Sequence, residues 1–246
     1  MRSGTRLEST GARSLARAVG ALTSALLVTA ALCAPARAGD TWEGWPEVWA
    51  FVGLSPQTRL FFDVAYAKGK ESSAQALDLA AYVDVSLKPI LRPVLRQEDW
   101  ARNRYLWARV GYDRVLRGEG GEPAPPEDRG IVSLYVKHEM PVAIWLEGRA
   151  RADLRWIDGD YSTRYRFRLE ATREFGVLGR PVTPYLNAEW FYDTRYDGWA
   201  RTVFQGGAEV TLSRRFRFEL YLARLEDDLP AESALNAVGA VAKFYF

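Results

Sequence analysis

The sequence predicts an all-β protein: an antiparallel transmembrane β-barrel of twelve strands, ten being the alternative, behind a cleaved signal peptide. Three observations carry this. The first 38 residues have the layout of an export signal. The rest alternates apolar and charged residues over unusually long segments. The chain ends in Phe246 on the apolar register of its last segment.

Bulk composition is less informative. Apolar residues make up 48% and charged residues 26%, with 33 Lys+Arg against 31 Asp+Glu. That balance excludes a strongly basic nucleic-acid binder and an acidic disordered tail. The averages blend two different segments. Arg2, Arg6, Arg13 and Arg17 precede an uncharged apolar run, Ala18 to Leu32, and then Ala36-Arg37-Ala38. A basic stretch, a short apolar stretch and small residues at an A-x-A site make a signal peptide; the run is too short for a membrane anchor. Leu32 before Cys33 is too bulky for a lipoprotein signal. The expected units are therefore 1–38, signal peptide, and 39–246, barrel. Cleavage removes the sole cysteine, so the exported part holds no disulfide.

The remaining chain alternates with period two. Tyr161, Thr163, Tyr165, Phe167, Leu169 and Ala171 interleave with Ser162, Arg164, Arg166, Arg168, Glu170 and Thr172. Ile144, Leu146, Gly148, Ala150, Ala152, Leu154 and Trp156 interleave with Glu147, Arg149, Arg151, Asp153 and Arg155. Candidate strands fall at 47–54, 58–68, 75–88, 103–116, 129–139, 143–157, 160–175, 183–196, 199–212, 216–227 and 234–246. Many exceed the roughly 5–6 residues of ordinary strands and suit the ~9–11 tilted residues that cross a bilayer. A closed barrel in lipid would turn the apolar register outward and satisfy every backbone polar group. Tyr66, Tyr112, Trp156, Tyr161, Trp190, Tyr192, Phe216 and Phe218 lie on that register near segment ends, where interfacial girdles sit. Eleven segments are an odd number, and bacterial barrels have even counts with both chain ends on the periplasmic side. Either 47–54 is no strand, giving ten, or one strand is hidden, giving twelve; twelve is preferred.

The turns set register and orientation. Asp158-Gly159 between alternating runs reads as a two-residue type I′ hairpin, since that turn needs φ > 0 at both positions. It pairs Trp156 with Tyr161, Asp153 with Arg164 and Glu147 with Glu170, and keeps each face uniform. Asp197-Gly198 treated the same way would swap faces, so a three-residue loop is expected there. With the C-terminus in the periplasm, these turns and the Gly/Pro-rich loop Gly118–Glu127 lie outside the cell. Met140-Pro141-Val142 and Ser213–Arg215 are short periplasmic turns, and Pro89–Arg102 is a long, partly helical periplasmic connection.

The Trp-bearing opening Trp45–Trp49, the run Arg164-Tyr165-Arg166-Phe167-Arg168, the stretch Pro184-Tyr185-Leu186-Asn187-Ala188-Glu189-Trp190-Phe191-Tyr192, then Arg201, Gly206-Gly207 and the Phe244-Tyr245-Phe246 ending resemble domain-of-unknown-function family 2490. The resemblance covers most of the exported chain. It implies an outer-membrane barrel of a Gram-negative bacterium and no particular activity. Phe244 and Phe246 resemble the C-terminal signal read by the barrel assembly machinery, with Gly239 off the usual glycine position.

Function must then come from the inward charges. The expected anion-contact patch is Arg149, Arg151, Arg155, Arg164, Arg166 and Arg168, with Glu147, Asp153, Glu170 and Glu189 as acidic partners. The hairpin register sets Arg151 opposite Arg166 and Arg149 opposite Arg168, an arrangement that repels unless neutralised. Two outcomes follow. The patch lines a small channel for anionic or polar solutes, since Arg binds carboxylate and phosphate in bidentate fashion. Alternatively, acids neutralise it and the barrel is structural, with a charge-paired lumen. An outer-membrane lipid-modifying enzyme is a third reading, and catalysis is not expected. Its serine nucleophile needs a His base. The sole histidine, His138, shares the outward register, while Ser133 lies on the opposite one. No Cys/His cluster suggests zinc and no phosphate loop suggests a nucleotide. Glu226-Asp227-Asp228 reads as a solvated charge run rather than a Ca²⁺ site. Expected partners are outer-membrane lipid, the assembly machinery and a small anionic solute, with no nucleic acid and no cofactor.

Overall fold

The structure is a computed structural model that describes residues 41–69, 75–87, 105–118, 126–229 and 233–246. The signal-peptide reading, the whole of Pro89–Arg102 and the middle of the Gly118–Glu127 loop lie outside the described residues. No helix among the described residues is long and apolar enough to cross a membrane.

Among the described residues twelve strands follow in order: β1 (Thr41–Gly53), β2 (Thr58–Gly69), β3 (Gln75–Ser86), β4 (Leu106–Gly118), β5 (Glu127–Met140), β6 (Ile144–Ile157), β7 (Asp160–Thr172), β8 (Phe175–Val177), β9 (Arg180–Asp193), β10 (Gly198–Ser213), β11 (Phe216–Asp227) and β12 (Ser233–Tyr245). Eleven of them close into a barrel, and β8 is the extra strand. The expected twelve are therefore present, but only eleven form the ring. The hidden strand is the three-residue β8. It continues the line of β7 past a break at Arg173–Glu174: Thr172 faces Tyr185, and Phe175 faces Val182 in the same register. β1 is a full member of the ring, longer than its alternating segment, because it begins at Thr41.

An odd ring forces one correction. Neighbours run antiparallel except at the closure, where β1 and β12 pair in parallel from Thr41↔Leu235 to Phe51↔Tyr245. The two ends of the described chain consequently sit at opposite ends of the barrel, rather than together. Phe246 lies at the end that holds the 54–57, 141–143 and 214–215 turns, called here the turn end. Its N–H donates to Phe51 O (2.9 Å) and its carbonyl accepts from Gly53 N (3.1 Å). Thr41 lies at the other end, the loop end, with the 158–159 and 194–197 connections.

The period-two pattern separates the two faces as expected. Along β5, Val132, Leu134 and Val136 are exposed while Ile131, Ser133 and Tyr135 are at most 4% exposed. The outward register carries Phe62, Val64, Tyr112, Trp156, Tyr161, Phe167, Leu169 and Trp190, all exposed. The Asp158-Gly159 hairpin forms in the expected register, with φ of 52° and 86°. The Asp197-Gly198 connection does not match the three-residue expectation. Residues 194–197 form a four-residue loop, and a bulge at Ala200 restores the faces, so that Val203 lies opposite Glu189. A bulge inserts one unpaired residue, and periodicity alone does not locate it.

Aromatic residues fill the inside of the closing seam. Tyr245 of β12, Phe51 of β1, Phe61 of β2 and Tyr82 of β3 stack in succession at 4.9, 4.6 and 5.1 Å between ring centroids. Trp49 meets Phe61 edge-on at 5.5 Å. Parallel pairing is slightly weaker per residue than antiparallel. Each aromatic pair adds about 0.5–1.5 kcal/mol beyond area burial, so the stack reinforces the seam. Tyr221 of β11 needs flat neighbours: a Cβ on Gly239 would lie 1.9 Å from its ring, and one on Gly207 2.7 Å from its Cβ. Both glycines are its register partners.

Candidate functional site

The six predicted arginines face inward from the β6–β7 hairpin. The tight turn between Ile157 and Asp160 fixes the opposed like charges, Arg149↔Arg168 and Arg151↔Arg166. Acids reach each of them. Glu189 on β9 accepts from Arg149 and from Arg166 Nε (2.7 Å). Asp153 accepts from Arg151, and Arg166 Nη1 lies 3.7 Å from it. Arg168 Nη2 donates to Glu147 (3.1 Å) and lies 3.7 Å from Glu170. All four predicted acidic partners therefore take part.

Two further acids complete the group. Glu127 accepts from Arg155 and from Arg129 Nε (2.8 Å). Asp193 accepts from Arg155 Nη1 (2.6 Å) and Arg164 Nη2 (2.8 Å). Sequence reasoning missed both, together with Arg129. The signal was there: extending the inward parity of β5 back to 127 and of β9 on to 193 reaches them. Arg166 also stacks 4.5 Å from the Phe191 ring. Such planar contact holds a guanidinium that is already ion-paired.

Two other networks line the same interior. Asp84, fully buried, bridges Arg59 Nε (2.8 Å) and Arg109 Nε (2.6 Å). Arg109 packs 4.2 Å over Phe61, and Arg59 4.3 Å over Phe51, so this pair covers the aromatic stack. On the far side of the seam, Lys243 Nζ donates to Glu209 (2.8 Å) and Glu219, while Arg217 Nη1 donates to Glu209 (3.1 Å). Tyr185 donates to Glu219 and Tyr221 to Glu47. Each of these pairs joins residues of one strand, of neighbouring strands or of strands two apart. The charges are tied along the wall.

The interior is also close-packed. Inward side chains buried to below one-tenth exposure come from around the ring: Phe51, Phe61, Asp84, Trp107, Tyr135, Asp153, Ser162, Glu189, Tyr221 and Lys243 among them. Burial of so many charges is tolerated because most of them are ion-paired, since an isolated buried ion is prohibitively expensive.

The remaining candidates are dispersed. His138 is exposed on the outward face of β5, and Ser133, 2% exposed, points inward, so the two are not brought together. Phe244 and Phe246 are exposed at the turn end. Asp227 is held by Arg201 and Glu226 by Arg224 (2.9 Å). No group of three metal-ligating side chains suited to an ion occurs among the described residues.

Fold and interior together define a closed β-barrel with an apolar outer wall and an ion-paired, aromatic-filled core. No family model matches this chain, and no curated protein matches it.

Proposed function

We propose that this chain is an integral outer-membrane β-barrel of a Gram-negative bacterium, exported by residues 1–38, with a packed, charge-paired interior that serves as structure rather than as a conduit. The resemblance to family 2490 belongs to the same reading. The observation that carries it is the burial of inward side chains around the ring, charged ones included, most of the charges being held in ion pairs. An exposed apolar band around that core supports placement in lipid, because a barrel in water would bury its apolar register. The test is single-channel recording of refolded protein in a planar bilayer. Insertion with no stable conductance is expected.

A second reading, a narrow anion conduit, draws on one feature: the ion pairs run along the wall, and the β6–β7 wall keeps its arginine-rich character. A stable anion-selective current that changes on substitution of Arg149, Arg151, Arg166 and Arg168 would establish it and overturn the packed reading.

A further inference from the structure

We propose that the tip of the β7–β8–β9 hairpin and the adjoining β10–β11 turn form a docking surface for anionic phospholipid headgroups at the turn end of the barrel. The inference rests on the membrane reading above and goes beyond it.

The hairpin overruns its neighbour. β6 begins at Ile144 and pairs with β7 only up to Trp145↔Thr172, whereas β8 and β9 run on as a two-stranded tip closed by Leu178-Gly179. That turn holds Leu178 at φ 50° and Gly179 at φ 76°. A leucine in the left-handed region is disfavoured, and this one is 84% exposed. The tip therefore presents a large apolar side chain to the surroundings on a backbone that a polar or glycine residue would suit better. Leu212, 41% exposed, lies on β10 next to Arg180 of the hairpin.

Four arginines lie along this hairpin and on the adjoining β10–β11 turn. Arg173, Arg180, Arg214 and Arg215 are all exposed. Arg180 Nη1 donates to Leu212 O (2.7 Å), which ties the hairpin to β10. Arg173 packs 5.0 Å from the Phe175 ring. The carbonyl of Arg215 accepts from Tyr245 N (3.0 Å), which fixes the second turn to the end of β12. Inside the barrel the arginines are matched to carboxylates. None of these four has a carboxylate in ion-pair contact among the described residues, and a set of cations beside an apolar tip asks for an anionic, amphipathic partner. An acidic lipid supplies phosphate to the arginines and acyl chain to Leu178 and Leu212. Cations next to an anionic leaflet contribute about fivefold in affinity each.

The experiment inserts the full chain into vesicles of phosphatidylcholine alone and of phosphatidylcholine with phosphatidylglycerol, with insertion read from heat-modifiable gel mobility. The inserted protein is then taken into nonionic detergent, and retained lipid is counted by native mass spectrometry. The parent is expected to keep phosphatidylglycerol over phosphatidylcholine. Changing Arg173, Arg180, Arg214 and Arg215 together to Gln should lower that retention more than about tenfold. A triple variant that spares Arg180 and its contact to Leu212 guards against misfolding and should lose most of it. Arg195→Gln at the loop end should change nothing. Equal retention of the two lipids, or retention unaffected in the triple and quadruple variants, overturns the proposal. Failure to insert into either vesicle overturns the membrane reading instead.

Discussion

Glu189 is the residue on which the packed interior depends most directly. It is 6% exposed and accepts from two arginines, Arg149 and Arg166, each of which also faces another arginine across the β6–β7 hairpin. Replacing it by Gln keeps the volume and one acceptor but removes the charge. Two guanidinium groups, both buried or nearly so, then face Arg168 and Arg151 with less compensation. At an effective dielectric near 20, one pair at about 4 Å is worth ~4 kcal/mol. Breaking a buried pair from one side typically costs about 3–5 kcal/mol. We expect Glu189→Gln to destabilise by ~3–5 kcal/mol, or roughly two to three and a half decades in the folding equilibrium. Exposed ion pairs give only ~0.2–1 kcal/mol. The assay is reversible denaturant unfolding of the barrel in detergent or vesicles, followed by tryptophan fluorescence. Adding Arg166→Gln should recover part of the loss, because it removes one of the stranded charges; this is the coupling term of a double-mutant cycle. A loss below about 1 kcal/mol would mean that water solvates these guanidinium groups. The interior would then be a wet lumen, and the reasoning behind the packed reading would fail.

Three other outcomes follow from the geometry. Gly239→Ala places a methyl group 1.9 Å from the Tyr221 ring and should destabilise by ~1–3 kcal/mol, as overpacking does; combining it with Tyr221→Ala should remove the clash term, measured by the same unfolding curves. Val48 and Ala242 are parallel register partners on the outward face, so Val48→Cys with Ala242→Cys, in a Cys33→Ala background, should crosslink readily on oxidation, whereas Val48→Cys with Val238→Cys, an outward residue that lies opposite Gly44, should not. The reverse result would show an antiparallel closure. Deleting Phe246 removes its two hydrogen bonds to β1 and should slow barrel formation, read as the rate at which the heat-modifiable band appears; an unchanged rate would mean the seam closes without it.

Much of the site was legible because strand periodicity fixes direction. Once Asp158-Gly159 is taken as a type I′ turn, the pairing of Arg149 with Arg168 and of Asp153 with Arg164 follows from counting, and so does the need for neutralising acids. The acids on neighbouring strands were legible only as types on the right parity. Which of them reaches which arginine depends on the sideways offset between strands two apart, as for Glu189 with Arg149, and no local pattern encodes that offset. Asp193 and Glu127 were missed for a related reason: they sit at strand ends, where alternation fades into the loop.

The sequence by itself determined that the chain is all-β, where nearly every long strand lies, and which face of each is apolar, because a period of two is imposed by the pleat of a single strand. Tertiary structure alone decided how the ring closes. Eleven strands meet in a parallel β1–β12 seam, the twelfth is the tail of β7, and the two described ends lie at opposite ends of the barrel. Closure joins residues nearly two hundred positions apart, and it is selected by what packs across the seam: the Tyr245–Phe51–Phe61–Tyr82 stack and the Tyr221 hydroxyl that donates to Glu47. Those contacts exist only once the wall has curved round on itself.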